Sequence, residues 1–173
     1  LDRKGRIAGD VWGHSGPDSQ SLPDFENLAK VWDDMPPLAP PLIDGVLRQG
    51  HKMLLSGPSK AGKSFALINL CIAFAEGREW LGFECRRGDV LYIDPEIDRK
   101  SLDNRFAAVC EAEGADTAEV DAHVTKWPLR GVEGATMQSI AHDLELRCTR
   151  DSFALIVIDS CSVFVEGDEN SSV

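Results

Sequence analysis

The segment that most constrains the fold of this chain is Gly57–Ser64, which reads Gly-Pro-Ser-Lys-Ala-Gly-Lys-Ser and fits the pattern G-x-x-x-x-G-K-[S/T]. Glycines in this pattern let the backbone turn tightly, so that successive N–H groups point at phosphate oxygens. The pattern requires a β-strand before it and a helix after it, because the positive N-terminus of the helix faces the same phosphates. We call Gly57–Ser64 the phosphate loop.

The residues on either side of the phosphate loop have the required character. Lys52–Ser56 is a short apolar run that we expect to form the strand. Phe65–Ala75 is too long for a strand and apolar nearly all round, which predicts a buried helix. A chance match to the four fixed positions is the alternative. It would occur in roughly one chain of this length in two hundred, and the flanking segments lower those odds further.

Each part of the loop has a predicted role toward a bound nucleotide. Lys63 reaches the β- and γ-phosphates and supplies charge for catalysis, and the Ser64 hydroxyl completes a Mg²⁺ shell. The predicted nucleotide-binding residues are those of the loop and the first helical position, namely Gly57, Pro58, Ser59, Lys60, Ala61, Gly62, Lys63, Ser64 and Phe65.

Two later apolar segments end in carboxylates. Phe153–Asp159 is a continuous apolar run, and an aspartate at the end of such a strand is typical of a Mg²⁺ ligand. Asp89–Asp94 predicts a second strand, followed by Glu96, where a carboxylate is able to hold and deprotonate the water that attacks a γ-phosphate. The alternatives are that Asp159 and Asp94 are turn residues and that Glu96 is simply solvated.

The first forty residues differ in composition from the rest. Residues 1–20 are rich in Gly, Asp, Ser and Pro, and we expect a loose arm there. Ser21–Asp24 predicts a capping box that opens a short helix through Phe25 and Trp32. Met35–Leu42 contains four prolines and predicts an extended linker, because proline removes a donor and restricts its predecessor.

Strands and helices alternate beyond that linker. We expect a helix through Leu102–Val109, a weaker strand at His123–Trp127 and an amphipathic helix over residues 136–149. Strands that are apolar on both faces belong to parallel sheets covered by helices on each side, so an α/β fold is predicted. The predicted domains are an N-terminal arm with its linker, residues 1–41, and a nucleotide-binding core, residues 42–173.

Composition weighs against several classes of function. Lys and Arg number 18 against 29 Asp and Glu, and the net charge of −11 argues against a surface that mainly neutralises nucleic-acid phosphates. The five cysteines are scattered, so neither a disulfide framework nor a zinc site is expected, and a reducing cytoplasm is predicted. No apolar stretch approaches the ~20 residues of a membrane span, and no membrane partner is predicted. The four tryptophans are interpreted as packing residues rather than a base-stacking platform.

Together, the phosphate loop, Tyr92–Glu96 and Leu155–Ser160 resemble the RecA-like core of P-loop ATPases. Within that group the chain is similar to plasmid and phage proteins of the RepA type, which are hexameric replicative helicases with an AAA-type ATPase domain. The segments that carry this finer resemblance are Leu42–Val46, Trp80–Phe83, Gly88–Asp94, Arg99–Arg105 and Gly167–Ser171.

The resemblance implies a three-layer α/β/α RecA-like core with a mostly parallel sheet, which binds ATP and Mg²⁺ and hydrolyses ATP. It makes Glu96 the catalytic base, and Glu169 or Asn170 a contact to the γ-phosphate. It also implies helicase action in plasmid or phage DNA replication or mobilisation, by a ring or other homo-oligomer. Pro95 departs from the family pattern, in which a residue with a free N–H is expected, and it is able to re-aim Glu96.

RecA-like cores continue with further strands, a sensor residue, an arginine finger and DNA-contacting loops, none of which is found before Val173. We therefore expect the chain to be a fragment truncated at its C-terminus, with any DNA contact in the missing part. Two alternatives stay open. The first is a RecA-like regulatory ATPase without a DNA role, and the second is a nucleotide-binding fragment without turnover.

Overall fold

A computed structural model of the chain describes residues 25, 27–32, 35–149 and 152–164. The chain divides into two units, Leu1–Pro37 and Leu38–Val173. The second unit contains, in chain order, β1 (Pro41–Ile43), β2 (Leu47–Arg48), α1 (Lys63–Glu76), β3 (Glu79–Trp80), β4 (Phe83–Glu84), β5 (Val90–Asp94), α2 (Arg99–Glu113), α3 (Thr117–His123), β6 (Val124–Pro128), α4 (Met137–Arg147), β7 (Leu155–Ile158) and a 3-10 turn at Cys161–Phe164.

The described residues of the first unit form one turn of 3-10 helix, Leu28–Lys30. The Asn27 side chain accepts a hydrogen bond from the N–H of Ala29 at 2.8 Å, so the turn begins there. Within the predicted short helix through Phe25 and Trp32, the described residues thus form a single 3-10 turn, which begins after the Asn27 cap. The predicted arm and the Ser21–Asp24 capping box lie outside the described residues.

The second unit is built on a three-stranded parallel sheet in the order β6-β5-β7. In the central strand, Val90 lies opposite Val124 of β6 and Leu155 of β7. All five residues of β5 are buried, as expected of a strand covered on both faces. This topology confirms the predicted α/β fold with a parallel sheet, of which the described residues form a partial core.

Successive residues of β5 point to opposite faces of the sheet, and each face packs in its own hydrophobic cluster. Val90 and Tyr92 belong to a cluster that includes residues of α1 and α2, whereas Leu91 and Ile93 pack with Ile140 of α4. Helices therefore cover both faces, which gives the three layers that the sequence predicted.

Helix α1 forms where the sequence predicted a buried helix. Gly62 precedes it at φ 84° and Gly77 ends it at φ 68°, where the Gly77 N–H donates to the carbonyl oxygen of Ala73. A left-handed residue that closes the last turn is a common helix end, and glycine adopts it without a Cβ clash. Among the described residues, every helix is too short or too polar to cross a membrane.

The strand predicted at Lys52–Ser56 is wrong, because residues 51–58 form no strand. Met53 and Leu55 are partly buried, whereas Leu54 is 81% exposed. A strand exists only through hydrogen bonds to a neighbour, and in the described part of the chain β7 pairs with β5 alone. Residues 51–58 pair with no described strand, so the apolar run forms no ladder.

Two short hairpins, β1–β2 and β3–β4, and the short helix α3 were not predicted from the sequence. The hairpins β1–β2 and β3–β4 have strands of two or three residues, too short to show a period of two. The indole N–H of Trp80 donates to the carbonyl oxygen of Ala66 at 2.9 Å, which attaches β3 to α1. This contact agrees with a packing role for Trp80.

Gly88 lies where the chain enters β5, and it has no room for a side chain. A Cβ at this position would lie 2.9 Å from the Cβ of Ala154 and 3.4 Å from Cε1 of Phe74. We expect Gly88→Ala to lower the free energy of unfolding by about 1–3 kcal/mol, because overpacking forces neighbouring groups apart. Urea unfolding of the variant measures this loss.

The matched control is Gly88→Ala combined with Ala154→Gly, which removes the Cβ on the other side of the close contact. The double variant is expected to recover part of the loss relative to the sum of the two single changes. Strictly additive losses would show that the two positions do not compete for space.

Candidate nucleotide site

The phosphate loop leads directly into the first turn of α1. Lys60 at φ 62° and Gly62 at φ 84° both lie in the left-handed region, which turns the loop back on itself. Gly62 offers no side chain to cap α1, so the first N–H groups of the helix have no capping partner. Unpaired N–H groups at the N-terminus of a helix favour a bound anion.

The Lys63 side chain lies across the phosphate loop. Its Nζ donates to the carbonyl oxygens of Gly57 and Pro58, at 2.9 Å each. The ammonium group is thus held beside the same loop whose N–H groups favour an anion. Ser64, the predicted Mg²⁺ ligand of the loop, follows Lys63 in the first turn of α1.

The carboxylates predicted from the ends of two strands lie at one edge of the sheet. Ile93 of β5 lies opposite Ile158 of β7, and the next N–H, of Asp159, donates to the carbonyl oxygen of Ile93 at 3.0 Å. Asp94 and Asp159 therefore stand at the same level on neighbouring strands. In parallel α/β sheets, ligands bind outside the carboxyl ends of the strands, which is this edge.

Asp159 is a buried carboxylate with a neutral hydrogen-bond donor. It is 7% exposed, and its Oδ2 accepts a hydrogen bond from the hydroxyl of Tyr92 at 2.6 Å. Within the described residues no lysine, arginine or histidine forms an ion pair with it. A buried carboxylate is costly without a cation or several donors, so this group fits a metal ion as its missing partner.

The two predicted metal ligands carry donor atoms that suit Mg²⁺. Mg²⁺ usually keeps several waters and takes one or two protein oxygens together with phosphate oxygens. Ser64 and Asp159 are the predicted protein ligands, and both offer hard oxygen atoms. No group of three or more His, Cys, Asp or Glu side chains that could hold a metal ion occurs among the described residues.

Asp94 organises the turn that follows β5. Its carboxylate is 1% exposed, and Oδ1 accepts hydrogen bonds from the N–H groups of Glu96 at 2.8 Å and Ile97 at 2.9 Å. The turn takes its donors from the residues after Pro95, so the missing N–H of proline removes none of these bonds. The alternative that Asp94 is a turn residue is therefore confirmed.

Glu96 lies at the start of this turn and is exposed, and its carboxylate has a defined partner. Oε1 accepts a hydrogen bond from Oγ of Ser160 at 2.5 Å, and Ser160 Oγ also contacts Oγ of Ser162 at the same distance. Because Ser160 directly follows Asp159, this bond connects the turn after β5 to the end of β7. Glu96 is therefore not simply solvated, because its carboxylate has a specific hydrogen-bond partner in the protein.

The electrostatics of the edge reflect burial among negative charges. Burial raises the pKa of the Asp94 carboxyl, the two N–H bonds partly offset this, and the nearby Asp159 raises it again. Burial also raises the pKa of the Tyr92 hydroxyl, and its hydrogen bond to Asp159 adds to the increase. The pKa of the Cys71 thiol in α1 is raised by burial and then by the charge of Asp159.

Two predicted residues lie outside the described part of the chain, and two others were missed. The predicted residues outside the described part are Glu169 and Asn170, and the missed residues are Tyr92 and Ser160. Tyr92 was missed as a site residue, although it is the one side chain with a hydroxyl inside an otherwise apolar buried strand. Ser160 gave no sequence signal, because its role depends on the pairing of β7 with β5.

A family model described as an AAA domain matches residues 20–173 of the chain. The chain therefore belongs to the AAA domain family, a P-loop family of ATPases, and this membership supports ATP binding. No curated protein and no solved structure matches the chain. The finer resemblance to RepA-type helicases stays a prediction.

Asp94 provides a test of the turn that carries Glu96. We expect Asp94→Ala to lower the free energy of unfolding by about 2–4 kcal/mol, because two backbone N–H groups lose their acceptor. Asp94→Asn keeps an acceptor oxygen and should stay within about 1 kcal/mol of the wild type. Chemical denaturation of the three proteins measures the difference, and equal losses in both variants would contradict the hydrogen-bonding role.

The pH dependence of the same variants has a defined sign. Because the folded-state pKa of Asp94 is raised, the folded chain binds this proton more tightly than the unfolded chain does. The protonated Asp94 side chain therefore contributes to the stability of the fold at low pH. This contribution is lost as the pH rises from the ordinary Asp pKa of 3.8 through the raised pKa of the folded state. Asp94→Asn should therefore gain stability relative to the wild type as the pH rises over that window.

Proposed function

We propose that this chain binds ATP with Mg²⁺ and hydrolyses it, using residues of the phosphate loop and of the carboxyl edge of the sheet. The observation that carries the proposal is the hydrogen bond from Ser160, the residue after Asp159, to the Glu96 carboxylate, which connects the chain segments that follow β7 and β5. The start of α1, which has no side-chain cap, is the second part of the proposed site. This combination supplies an anion site, a metal ligand and a base, the three parts that phosphoryl transfer to water requires.

In the proposed site, Lys63 and the first N–H groups of α1 bind the β- and γ-phosphates. Ser64 and Asp159 hold Mg²⁺, which supplies neutralising charge at the phosphate oxygens. Lys63 would exchange its two carbonyl contacts in the loop for phosphate oxygens, since an ammonium prefers an anionic acceptor to a neutral one.

Glu96 is the proposed base. Its carboxylate would hold a water molecule in line with the γ-phosphorus, and it would accept the water proton as the new O–P bond forms and the bond to the bridging oxygen breaks. The Ser160 hydroxyl limits the orientations of the Glu96 carboxylate, which reduces the number of positions that the water adopts. Exposure of Glu96 is consistent with access by solvent water.

We further propose that the ATPase serves plasmid or phage DNA replication or mobilisation as a helicase, in a ring or other homo-oligomer. The support is the resemblance of several segments to RepA-type proteins. The net charge of −11 argues against extensive contact between DNA and these 173 residues. Stimulation of ATP hydrolysis by single-stranded DNA tests the helicase role. An unchanged rate at low and high salt would favour a regulatory ATPase.

Glu96→Gln tests the proposed base. The variant should keep its affinity for Mg²⁺–ATP, because the amide still accepts the Ser160 hydrogen bond, while the hydrolysis rate falls by about 10²–10⁴-fold. Equilibrium binding and phosphate release measure the two effects separately. Glu133→Gln, which changes an exposed glutamate in the turn before α4, is the matched control and should leave both unchanged.

Two results would contradict parts of this proposal. Unchanged turnover in Glu96→Gln removes this residue from the mechanism. Tight ATP binding by the wild-type chain without phosphate release, and with release by a longer chain, identifies a nucleotide-binding portion that needs further residues for turnover.

A further inference from the structure

We propose that Tyr92 is a positioning residue for the Mg²⁺ site, and that its hydroxyl fixes the Asp159 carboxylate so that the second carboxylate oxygen is available to the metal. This inference rests on the proposed function. It assigns a role to a residue inside β5 that belongs neither to the phosphate loop nor to the carboxylates at the strand ends.

The geometry of the contact is specific to tyrosine at this register. Tyr92 lies opposite Val157, two residues before Asp159, yet its hydroxyl donates to Oδ2 of Asp159 at 2.6 Å. Two residues along a strand span about 6.6 Å, which is comparable with the reach of a phenol from its Cα. A shorter hydroxyl side chain at position 92 would not reach the carboxylate.

The ring of Tyr92 is held in place by packing. The residue has 0% exposure, and its ring meets Phe106 of α2 edge to face, with 5.3 Å between ring centroids and an interplanar angle of 86°. Such a pair has a preferred geometry, so the ring has little freedom to move. The hydroxyl at its end therefore defines the orientation of Asp159.

A neutral donor is the appropriate partner for a carboxylate that must bind a cation. A lysine or arginine in the same place would neutralise Asp159 and repel Mg²⁺, whereas a phenol satisfies one oxygen and leaves the charge available. Groups that hydrogen-bond to metal ligands orient them, and their removal typically weakens metal binding. No other hydrogen bond to the Asp159 side chain occurs among the described residues.

A purely structural role for Tyr92 makes a different prediction. Buried tyrosines usually find an acceptor for the hydroxyl, and on that account Asp159 serves only to satisfy Tyr92. Loss of the hydroxyl would then change stability but not the dependence of nucleotide binding on Mg²⁺. The two accounts therefore differ in how strongly Mg²⁺ increases nucleotide affinity, and this affinity is measured without hydrolysis.

Tyr92→Phe keeps the ring and removes the hydroxyl. The measurement is the affinity for a fluorescent, non-hydrolysable ATP analogue with Mg²⁺ and with EDTA, and the gain in affinity on adding Mg²⁺ is compared between proteins. We expect Tyr92→Phe to reduce that gain by ~10-fold or more, the usual range for loss of a group that orients a metal ligand. Affinity in EDTA should change by less than about twofold, because the phosphate loop is intact.

Ile140→Val is the matched control, since it removes a buried methyl group from the cluster on the opposite face of the sheet and leaves Tyr92 and its ring contact with Phe106 in place. It should lower the thermal midpoint of unfolding and preserve the gain in affinity from Mg²⁺. A Tyr92→Phe protein with the wild-type gain, or an Ile140→Val protein that loses the gain equally, overturns the positioning role. Absence of nucleotide binding by the wild-type chain would instead contradict the proposed function.

A second measurement needs no substitution at position 92. Tyr92 is the one tyrosine in the sequence, so growth on 3-fluorotyrosine labels this residue alone. Its fluorine NMR signal should shift when Mg²⁺ is added to the chain with the bound analogue, and Asp159→Asn should abolish that shift. An unchanged signal in a protein that binds the analogue more tightly with Mg²⁺ would overturn the inference.

Discussion

The parallel pairing of β5 with β7 is the constraint on which the candidate site depends. Because Ile93 lies opposite Ile158, the chain delivers Asp94 and Asp159 to one edge of the sheet at the same level. A slip of one residue would turn Asp159 toward the α4 face and remove it from Tyr92. The register is fixed by alternate residues of β5, which fill one hydrophobic cluster on each face.

The carboxylates at this edge are stabilised by neutral donors rather than by cations. Asp159 accepts from a phenol, Asp94 from two backbone N–H groups, and Glu96 from a serine hydroxyl. No basic side chain pairs with any of the three in the described ranges. Neutral donors fix the orientation of each carboxylate and preserve its charge, so the edge keeps a negative potential that favours a divalent cation.

Long elements with a clear pattern were predicted from the sequence, and short ones were not. Helix α1 is apolar over many residues, and β5 and β7 are continuous apolar runs, so burial alone identifies them. The run Lys52–Ser56 has the same apolar character but forms no strand, because a strand requires backbone pairing with a neighbour and not apolar residues alone. The hairpins β1–β2 and β3–β4 depend on turns and on contacts such as Trp80 with Ala66, which leave no period in the sequence.

The sequence by itself predicted the phosphate-binding chemistry, because a phosphate loop requires fixed residue types at fixed spacing. It also predicted Asp159 and Glu96 as site residues, since both follow apolar strands. Only the tertiary structure decided which groups orient these carboxylates. Tyr92 and Asp159 are 67 residues apart in the chain, and Glu96 and Ser160 are 64 apart. Such partners are selected by strand order and register, which arise from packing across the whole sheet and are not encoded in any local pattern.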